Sequence, residues 1–253
     1  MRLSNHLLDA VISRIHKNHS INKISRDLVL AKSTVYYYYQ KIKGRKYPVL
    51  TLHPAYSQTE GEIVGIFAGD GSLYFDRNNY HYEIKIIVGT NNQEYGLYVK
   101  DLFDTYFGKR FEFTHNTPWA YRVKTSSKVI SGFFSHYLVF NPSCKHSTVR
   151  LISTNLPEEF LRGFLKGLLD TDGCVYRTKY STFSLSYSTT SRKLAFQLQE
   201  ILSSFHIKSS IYERKPVQQN WKMQYSVQIW KGDAERFLTQ VKPWKARKYT
   251  AGW

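Results

Sequence analysis

The chain has 253 residues and a net charge of +17, with 36 Lys and Arg against 19 Asp and Glu, and a basic excess spread along its whole length favours a polyanionic partner such as a nucleic acid. Its two cysteines lack CxxC spacing and its nine histidines form no ligand pair, which argues against a disulfide scaffold and a zinc site. Because it has neither a signal-peptide pattern nor an apolar run of membrane length, we expect a soluble intracellular protein of the cytoplasm, nucleoid or an organelle, with no membrane partner.

The first 48 residues are predicted to form a separate all-α module. Apolar spacing indicates three short helices, over residues 7–15, after the capping residue Ser20, and after a turn at residues 29–31. Segment 24–36 resembles the recognition unit of small helix-turn-helix DNA-binding domains, whose last helix enters the major groove. The resemblance implies DNA contacts from seven residues of the third helix: Lys32, Ser33, Thr34, Tyr36, Tyr37, Gln40 and Lys41. The alternative is a bare three-helix bundle that serves as an interaction module.

A basic run over residues 41–46 follows this module, and prolines mark the stretch after it. This composition predicts a linker that follows a phosphate backbone. We therefore expect Arg45 and Lys46 to contact DNA.

Two apolar segments, residues 63–71 and 165–173, share a pattern: each carries Gly at its third place and ends in Asp-Gly. Capping-box spacing at residues 59–62 and an acidic, proline-marked start at residues 155–159 predict that both are helices. The closing glycines are expected to take the left-handed C-terminal conformation. Gly65 and Gly167 would let the two backbones approach closely, which brings Asp70 and Asp172 to one end. The sequence thus predicts one metal centre built from two halves.

The pattern that follows each Asp-Gly is also repeated. Alternating runs over residues 82–88 and 183–189 indicate strands, and so do those over 121–124 and 225–228. A helix lies between the two runs in each half. A further helix ends near Tyr137 in the first half and near Val241 in the second. The predicted fold is therefore α+β, with one αββαββα repeat over residues 57–150 and a second over 151–253.

From about Thr59 onward the chain resembles a single-chain, two-repeat LAGLIDADG homing endonuclease. The resemblance implies that the repeats form a pseudo-symmetric DNA-binding saddle, with Asp70, Asp172 and the carbonyl oxygens of Gly69 and Thr171 as metal ligands. It also places one catalytic lysine after each repeat's last helix, for which we select Lys145 and Lys248. The first motif departs from the pattern, since Ala68 replaces its first Asp. Mg²⁺ is the expected ion, with Mn²⁺ as a substitute.

Polar residues at alternate strand positions form the predicted DNA-reading surface. Side chains of this kind contact base edges and phosphates when a sheet lies in the major groove. They are Glu83, Lys85, Arg122, Lys124, Ser184, Ser186, Arg214, Ser226 and Gln228.

These features predict a monomeric homing endonuclease of a mobile genetic element, such as an intron. It would make a double-strand break in a long asymmetric DNA target by divalent-metal-dependent phosphodiester hydrolysis. Two alternatives stay open: a maturase that binds intron RNA, and a DNA-binding transcription regulator with a lapsed nuclease fold. Retention of both Asp70 and Asp172 favours the nuclease.

Overall fold

A computed structural model of the protein describes residues 3–44, 50–179, 182–216 and 222–247. The chain divides into two units, Met1–Thr51 and Leu52–Trp253. Among the described residues, no helix is long and apolar enough to cross a membrane.

The N-terminal unit consists of three short helices, as predicted: α1 (Asn5–His16), α2 (Ile21–Asp27) and α3 (Lys32–Lys43). Four side chains from these helices make its core: Val11, Ile15, Ile24 and Val35. Ser20 caps α2, because its hydroxyl accepts a hydrogen bond from the backbone N–H of Lys23 at 3.2 Å. A small apolar core thus holds the exposed face of α3 in place.

The first repeat comprises α4 (Gln58–Asp70), β1 (Gly71–Asp76), β2 (His81–Gly89), α5 (Gln93–Phe107), β3 (Glu112–Thr117), β4 (Ala120–Ser126) and α6 (Lys128–Tyr137). Its four strands form an antiparallel sheet in the order β1-β2-β4-β3. A connection follows with β5 (Leu138–Val139), the short helix α7 (Lys145–Thr148) and β6 (Arg150–Leu151). β5 and β6 pair with each other.

The second repeat has the same sequence of elements: α8 (Glu158–Asp172), β7 (Gly173–Arg177), β8 (Phe183–Thr189), α9 (Arg192–Ser204), β9 (Ser210–Arg214), β10 (Gln224–Trp230) and α10 (Lys231–Val241). The sheet order, β7-β8-β10-β9, repeats that of the first half. Both αββαββα repeats are therefore confirmed, and so is the α+β class.

Helices α4 and α8 pack against each other at backbone distance. A Cβ atom added to Gly61 would lie 1.9 Å from the carbonyl oxygen of Phe160, and one added to Gly163 would lie 1.9 Å from that of Gln58. At Gly65 and Gly167, the pair named from the sequence, the nearest carbonyl oxygen would be 2.3 Å away. Any side chain at these four positions would push the helices apart, so glycine fixes their spacing.

Two buried carboxylates lie on α4, and one of them bonds to α8. Glu62 of α4 bonds to Lys166 of α8 at 2.8 Å, and the hydroxyl of Tyr98 donates to Glu62 at 2.5 Å. Glu60 is fully buried and accepts from the hydroxyl of Tyr137 at 2.9 Å and the N–H of Ala55 at 3.0 Å. A buried charge is stable only when it is paired or hydrogen-bonded, and both glutamates satisfy this condition.

The ends of the motif helices differ from the sequence prediction in two respects. The capping box of α4 uses Ser57 and Glu60 and begins before residue 59. Gly71 and Gly173 are extended, with φ of −78° and −88°, because each helix passes directly into a strand. Glycine is required there for space, since a Cβ at Gly71 would lie 2.4 Å from the carbonyl oxygen of Phe67.

Candidate active site and DNA-binding surface

The two motif helices deliver Asp70 and Asp172 to the same end of the α4–α8 pair. A Cβ at Gly69 would lie 3.3 Å from Oδ2 of Asp172, so the backbone of one motif reaches the carboxylate of the other. Burial, and after it the negative charge of Asp172, raises the pKa of Asp70 to about 6. Although its side chain is exposed, Asp172 also has a raised pKa because the surrounding protein desolvates it. Because the charge of Asp172 acts on Asp70, the two carboxylates repel each other, and a bound cation would relieve that repulsion.

One lysine lies at the end of each motif helix. Nζ of Lys145 donates to the carbonyl oxygens of Phe67, Ala68 and Gly69, at 3.0, 2.6 and 2.7 Å. Nζ of Lys245 donates to the carbonyl oxygens of Thr171 and Gly173, both at 2.7 Å. The last carbonyls of a helix lack intrahelical partners and carry partial negative charge, so each ammonium group satisfies a helix end. Burial lowers the pKa of Lys145 to about 8 and lowers that of Lys245.

Lys245 was missed by the sequence analysis, which selected Lys248 from the same basic segment; Lys248 lies outside the described residues. A signal for Lys245 is present in the sequence. Each lysine follows a proline that marks the turn after the repeat's last helix, three residues on at Lys145 and two at Lys245. The structure therefore brings together Asp70, Asp172, Lys145 and Lys245.

The donor set at this centre suits a hard divalent cation. It consists of the Asp70 and Asp172 carboxylates and nearby carbonyl oxygens, the ligands that Mg²⁺ and Mn²⁺ take. The carbonyl oxygens of Gly69 and Thr171, expected as ligands, each accept a lysine hydrogen bond at 2.7 Å here. Within the described ranges, no group of three or more His, Cys, Asp or Glu side chains is placed to hold a metal ion. A cation would thus rest chiefly on the two aspartates.

Asp170 is a further residue of this region that sequence analysis did not select. Its side chain is buried and accepts from the backbone N–H groups of Trp244 at 2.9 Å and Lys245 at 2.8 Å. Burial raises its pKa to about 6, while these two hydrogen bonds act in the opposite direction. Asp170 therefore fixes the turn that carries Lys245.

The predicted DNA-reading residues of the first sheet share one face. Ile84 and Ile86 are buried on the other face, and Lys85 is directly opposite Lys124 on the neighbouring strand. Glu83 lies 3.9 Å from each of these lysines. Arg122 is half-buried on the same face and its Nε donates to the hydroxyl of Thr114 at 3.0 Å. This face is therefore strongly charged.

The second sheet departs from the prediction at two positions. Ser184 and Ser226 are each only 1% exposed, so their hydroxyls do not reach the surface. Ser184 lies between Trp230 and Tyr176 on the adjacent strands, and these larger side chains rise above it. The other predicted residues remain accessible: Ser186 and Gln228 are half-buried and opposite one another, and Arg214 is exposed.

Two exposed tyrosines on these faces were not predicted. Tyr74 and Tyr176 occupy the same place in their repeats, four residues after Asp70 and Asp172. They are 58% and 38% exposed. Tyr74 is opposite Glu83, which puts it on the charged face of the first sheet.

In the N-terminal unit, the predicted contact residues of α3 divide by exposure. Lys32, Ser33, Tyr37 and Lys41 are exposed, whereas Thr34, Tyr36 and Gln40 are half-buried. Nζ of Lys41 lies 4.7 Å from the ring centroid of Tyr37. Arg45 and Lys46 lie outside the described residues.

Comparison with known proteins assigns both repeats to one family. Residues 159–242 match the model of the LAGLIDADG-like domain, and residues 60–133 match that of the WhiA LAGLIDADG-like domain. Each match falls within one repeat, and together they cover more than half of the chain. The chain therefore belongs to the LAGLIDADG family, as a single-chain member with two repeats.

Solved structures show the same fold. The homing endonuclease I-DmoI, in mesophilic variants, superposes with a TM-score of 0.54 and 16% identity over 74% of this chain and 96% of its own. I-WcaI, bound to its DNA recognition sequence, gives a TM-score of 0.53 and 18% identity over 83% of this chain and 88% of its own. A sequence relative, the uncharacterized protein MJ0314 of Methanocaldococcus jannaschii, is 26% identical over 169 residues. The matched segment is 66% of this chain and 60% of that relative's length.

Proposed function

We propose that the protein is a site-specific DNA endonuclease that hydrolyses phosphodiester bonds with a divalent cation. One observation carries the proposal: two pseudo-symmetric helices bring Asp70 and Asp172 to one end, and a lysine lies beside each helix terminus. A similar structure, that of I-DmoI, is described as a complex with DNA and Mn, and I-WcaI is described as bound to its DNA recognition sequence.

In this proposal Asp70 and Asp172 hold the cation, for which Mg²⁺ is the expected ion and Mn²⁺ a substitute. When bound there, such a cation would provide activation of a water molecule and stabilisation of the leaving oxygen. Lys145 and Lys245 balance the negative charge that the scissile phosphate adds to two carboxylates. Because the pKa of Lys145 is about 8, part of its population is neutral at slightly alkaline pH, so its Nζ can take up or give a proton.

The target in this proposal is a long double-stranded DNA site. The first sheet contributes Lys85, Arg122 and Lys124, and the second contributes Ser186, Gln228 and Arg214. Because the two sheets present different charges and side chains, the two DNA half-sites should differ in sequence. Since one chain carries both sheets, the protein should act as a monomer. The exposed face of α3 would lengthen the site. Intron homing and binding to intron RNA remain expectations from the family resemblance.

A second candidate is a DNA-binding regulator that has lost cleavage. The first motif favours it, since Ala68 replaces an Asp, and this repeat matches a different domain model from the second. Both candidates bind DNA, but only the nuclease requires the two carboxylates.

Selection of cut sites from a randomised duplex library in Mg²⁺ tests the proposal. The wild-type chain should release cut ends of one sequence family. Asp70→Asn and Asp172→Asn should each abolish double-strand cutting and leave DNA affinity within a few-fold. Asp76→Asn is the matched control, because Asp76 only accepts hydrogen bonds within the β1–β2 turn. Tight sequence-specific binding without cutting by the wild-type chain would establish the regulator instead.

A further inference from the structure

A basic cleft lies in the unit Leu52–Trp253, where the connection between the repeats meets α9. It consists of two adjoining recesses of about 620 and 460 Å³, which share Arg150, Arg192 and Lys193. Asn141 and Thr148 line one wall, and Phe196, 46% exposed, lines another. We call this feature the α9 cleft.

Within the part of the chain that the structure describes, the three cations of the α9 cleft have no acidic partner. No carboxylate of the described residues lies within 4.0 Å of them, and the first turn of α9 contains no acidic residue. The guanidinium of Arg192 lies 5.2 Å from the ring centroid of Phe196, which orients it without neutralising it. Three like charges around one recess repel each other, and an anion placed between them relieves that repulsion.

The repeat symmetry shows that the pair of charges at the start of α9 has no counterpart in the first repeat. Asn92 and Ser191 are equivalent, since each occupies the N-cap position of its helix. The two residues that follow are Gln93 and Glu94 in α5 but Arg192 and Lys193 in α9. One half of the molecule therefore has two positive charges where the other half has a neutral and a negative side chain.

The α9 cleft also lies close to one catalytic lysine. Its wall includes Ser147 and Thr148 of α7, the helix that begins with Lys145. Lys145, whose Nζ donates to the carbonyl oxygen of Gly69, thus precedes these wall residues by two and three positions in the chain. The segment that carries Lys145 therefore also contributes to the wall of the cleft.

We infer that the α9 cleft binds the phosphate backbone of the target DNA, beside the cleaved bond and on one side of the centre only. The inference rests on the proposed function, because it takes target DNA as the ligand. Guanidinium groups suit a phosphate, since they offer parallel N–H donors. The α9 cleft would make the protein bind the two half-sites with unequal affinity, even where their base sequences are alike.

The salt dependence of DNA binding tests this inference. We would compare the full chain with Arg192→Gln/Lys193→Gln, measuring affinity for a duplex that contains the selected site at several salt concentrations in Ca²⁺. Loss of two phosphate contacts should reduce the slope of log K against log salt by about 1 to 2. Lys128→Gln/Lys208→Gln removes the same charge from two exposed lysines outside the cleft and should change the slope less. Thermal melting of each variant verifies that it is folded.

A variant that adds phosphate contacts should change the slope in the opposite direction. Gln93→Arg/Glu94→Lys places the same pair of cations at the equivalent position of α5 and should steepen the slope. Hydroxyl-radical footprints should lose protection on one side of the centre in the cleft variant and become more symmetric in the α5 variant.

Equal slopes and footprints for wild type and the cleft variant would overturn the inference while DNA binding itself stands. Loss of binding to a structured RNA, with unchanged DNA slopes, would reassign the cleft to RNA. A wild-type chain that binds no duplex would overturn the proposed function as well.

Discussion

The carboxylate of Asp170 holds the backbone of Lys245, accepting its N–H group at 2.8 Å and that of the preceding Trp244 at 2.9 Å. The first repeat has Ala68 at the equivalent position, so it lacks this connection. The turn around Lys145 is held from the second repeat instead, where the hydroxyl of Thr190 donates to the carbonyl oxygen of His146 at 2.8 Å. The two lysines are therefore positioned by different contacts, and one can be disturbed without the other.

We expect Asp170→Asn to slow cleavage of one DNA strand selectively. The amide can accept only one of the two N–H groups and directs its own NH₂ group at the other, and a buried donor without a partner costs about 1–3 kcal/mol. Displacement of Lys245 should lower the rate for its strand about tenfold or more. On supercoiled plasmid, nicked circles should then accumulate, and end-labelled duplex should show which strand stays intact.

Two comparisons make this test specific. Lys245→Met should spare the same strand as Asp170→Asn, whereas Lys145→Met should spare the opposite one. Asp104→Asn is the matched control, because Asp104 likewise accepts a backbone N–H, that of Phe111 at 2.6 Å, away from the site. Equal slowing of both strands by Asp170→Asn would show that Asp170 only supports overall stability.

The glycines between α4 and α8 provide a test of the helix pair. Gly163→Ala should destabilise the protein by about 2 kcal/mol or more, since the new methyl meets the carbonyl oxygen of Gln58, which cannot rotate away. Gly132→Ala is the control: this α6 glycine has no atom within 4 Å of an added Cβ, so alanine should stabilise the helix by about 0.5–1 kcal/mol. Chemical denaturation of both variants measures the difference, and a neutral Gly163→Ala would contradict the close packing.

The raised carboxylate pKa values predict how stability depends on pH without metal. Asp70 has a pKa of about 6 in the folded chain and about 3.9 when unfolded, so the folded state binds more protons between these values. Stability should fall as pH rises from about 4 to about 6 and then level off. Asp70→Asn should remove the share of this loss that Asp70 contributes, leaving that of Asp170 and Asp172, and stabilise the metal-free protein at pH 7 by roughly 1–3 kcal/mol. At pH 4 it should have little effect.

Divalent cations should stabilise the folded protein at pH 7, whereas a rise in pH to this value destabilises the metal-free protein. Mg²⁺ or Mn²⁺ should raise the melting temperature at pH 7 and much less at pH 4.5, where Asp70 holds a proton. A melting temperature that is independent of the cation at pH 7 would contradict metal binding at the aspartates. The Asp70→Asn variant should show a smaller cation effect than wild type.

The sequence predicted those parts of the molecule that depend on local periodicity. Strand β8 has the predicted limits, residues 183–189, because alternation of apolar and polar residues is a property of the strand itself. The site was harder to predict. Lys245 reaches the helix end through a turn held by Asp170, and Ser184 is buried by Trp230 and Tyr176 on other strands. Both outcomes depend on contacts between distant segments, which no local pattern encodes.

The N-terminal unit should contribute affinity without contributing chemistry. It has its own core of Val11, Ile15, Ile24 and Val35, and every carboxylate and lysine of the proposed centre belongs to the other unit. Removal of residues 1–51 should therefore leave cleavage at the same phosphodiesters, at higher enzyme concentration and with a footprint shortened on one side only.

A full-length Ser33→Ala/Tyr37→Ala/Lys41→Ala variant should reproduce the shorter footprint, because these residues form the exposed face of α3. Lys17→Ala, an exposed residue after α1, is the control and should keep the full footprint. If truncation left affinity and footprint unchanged, the three-helix unit would bind a partner other than this DNA.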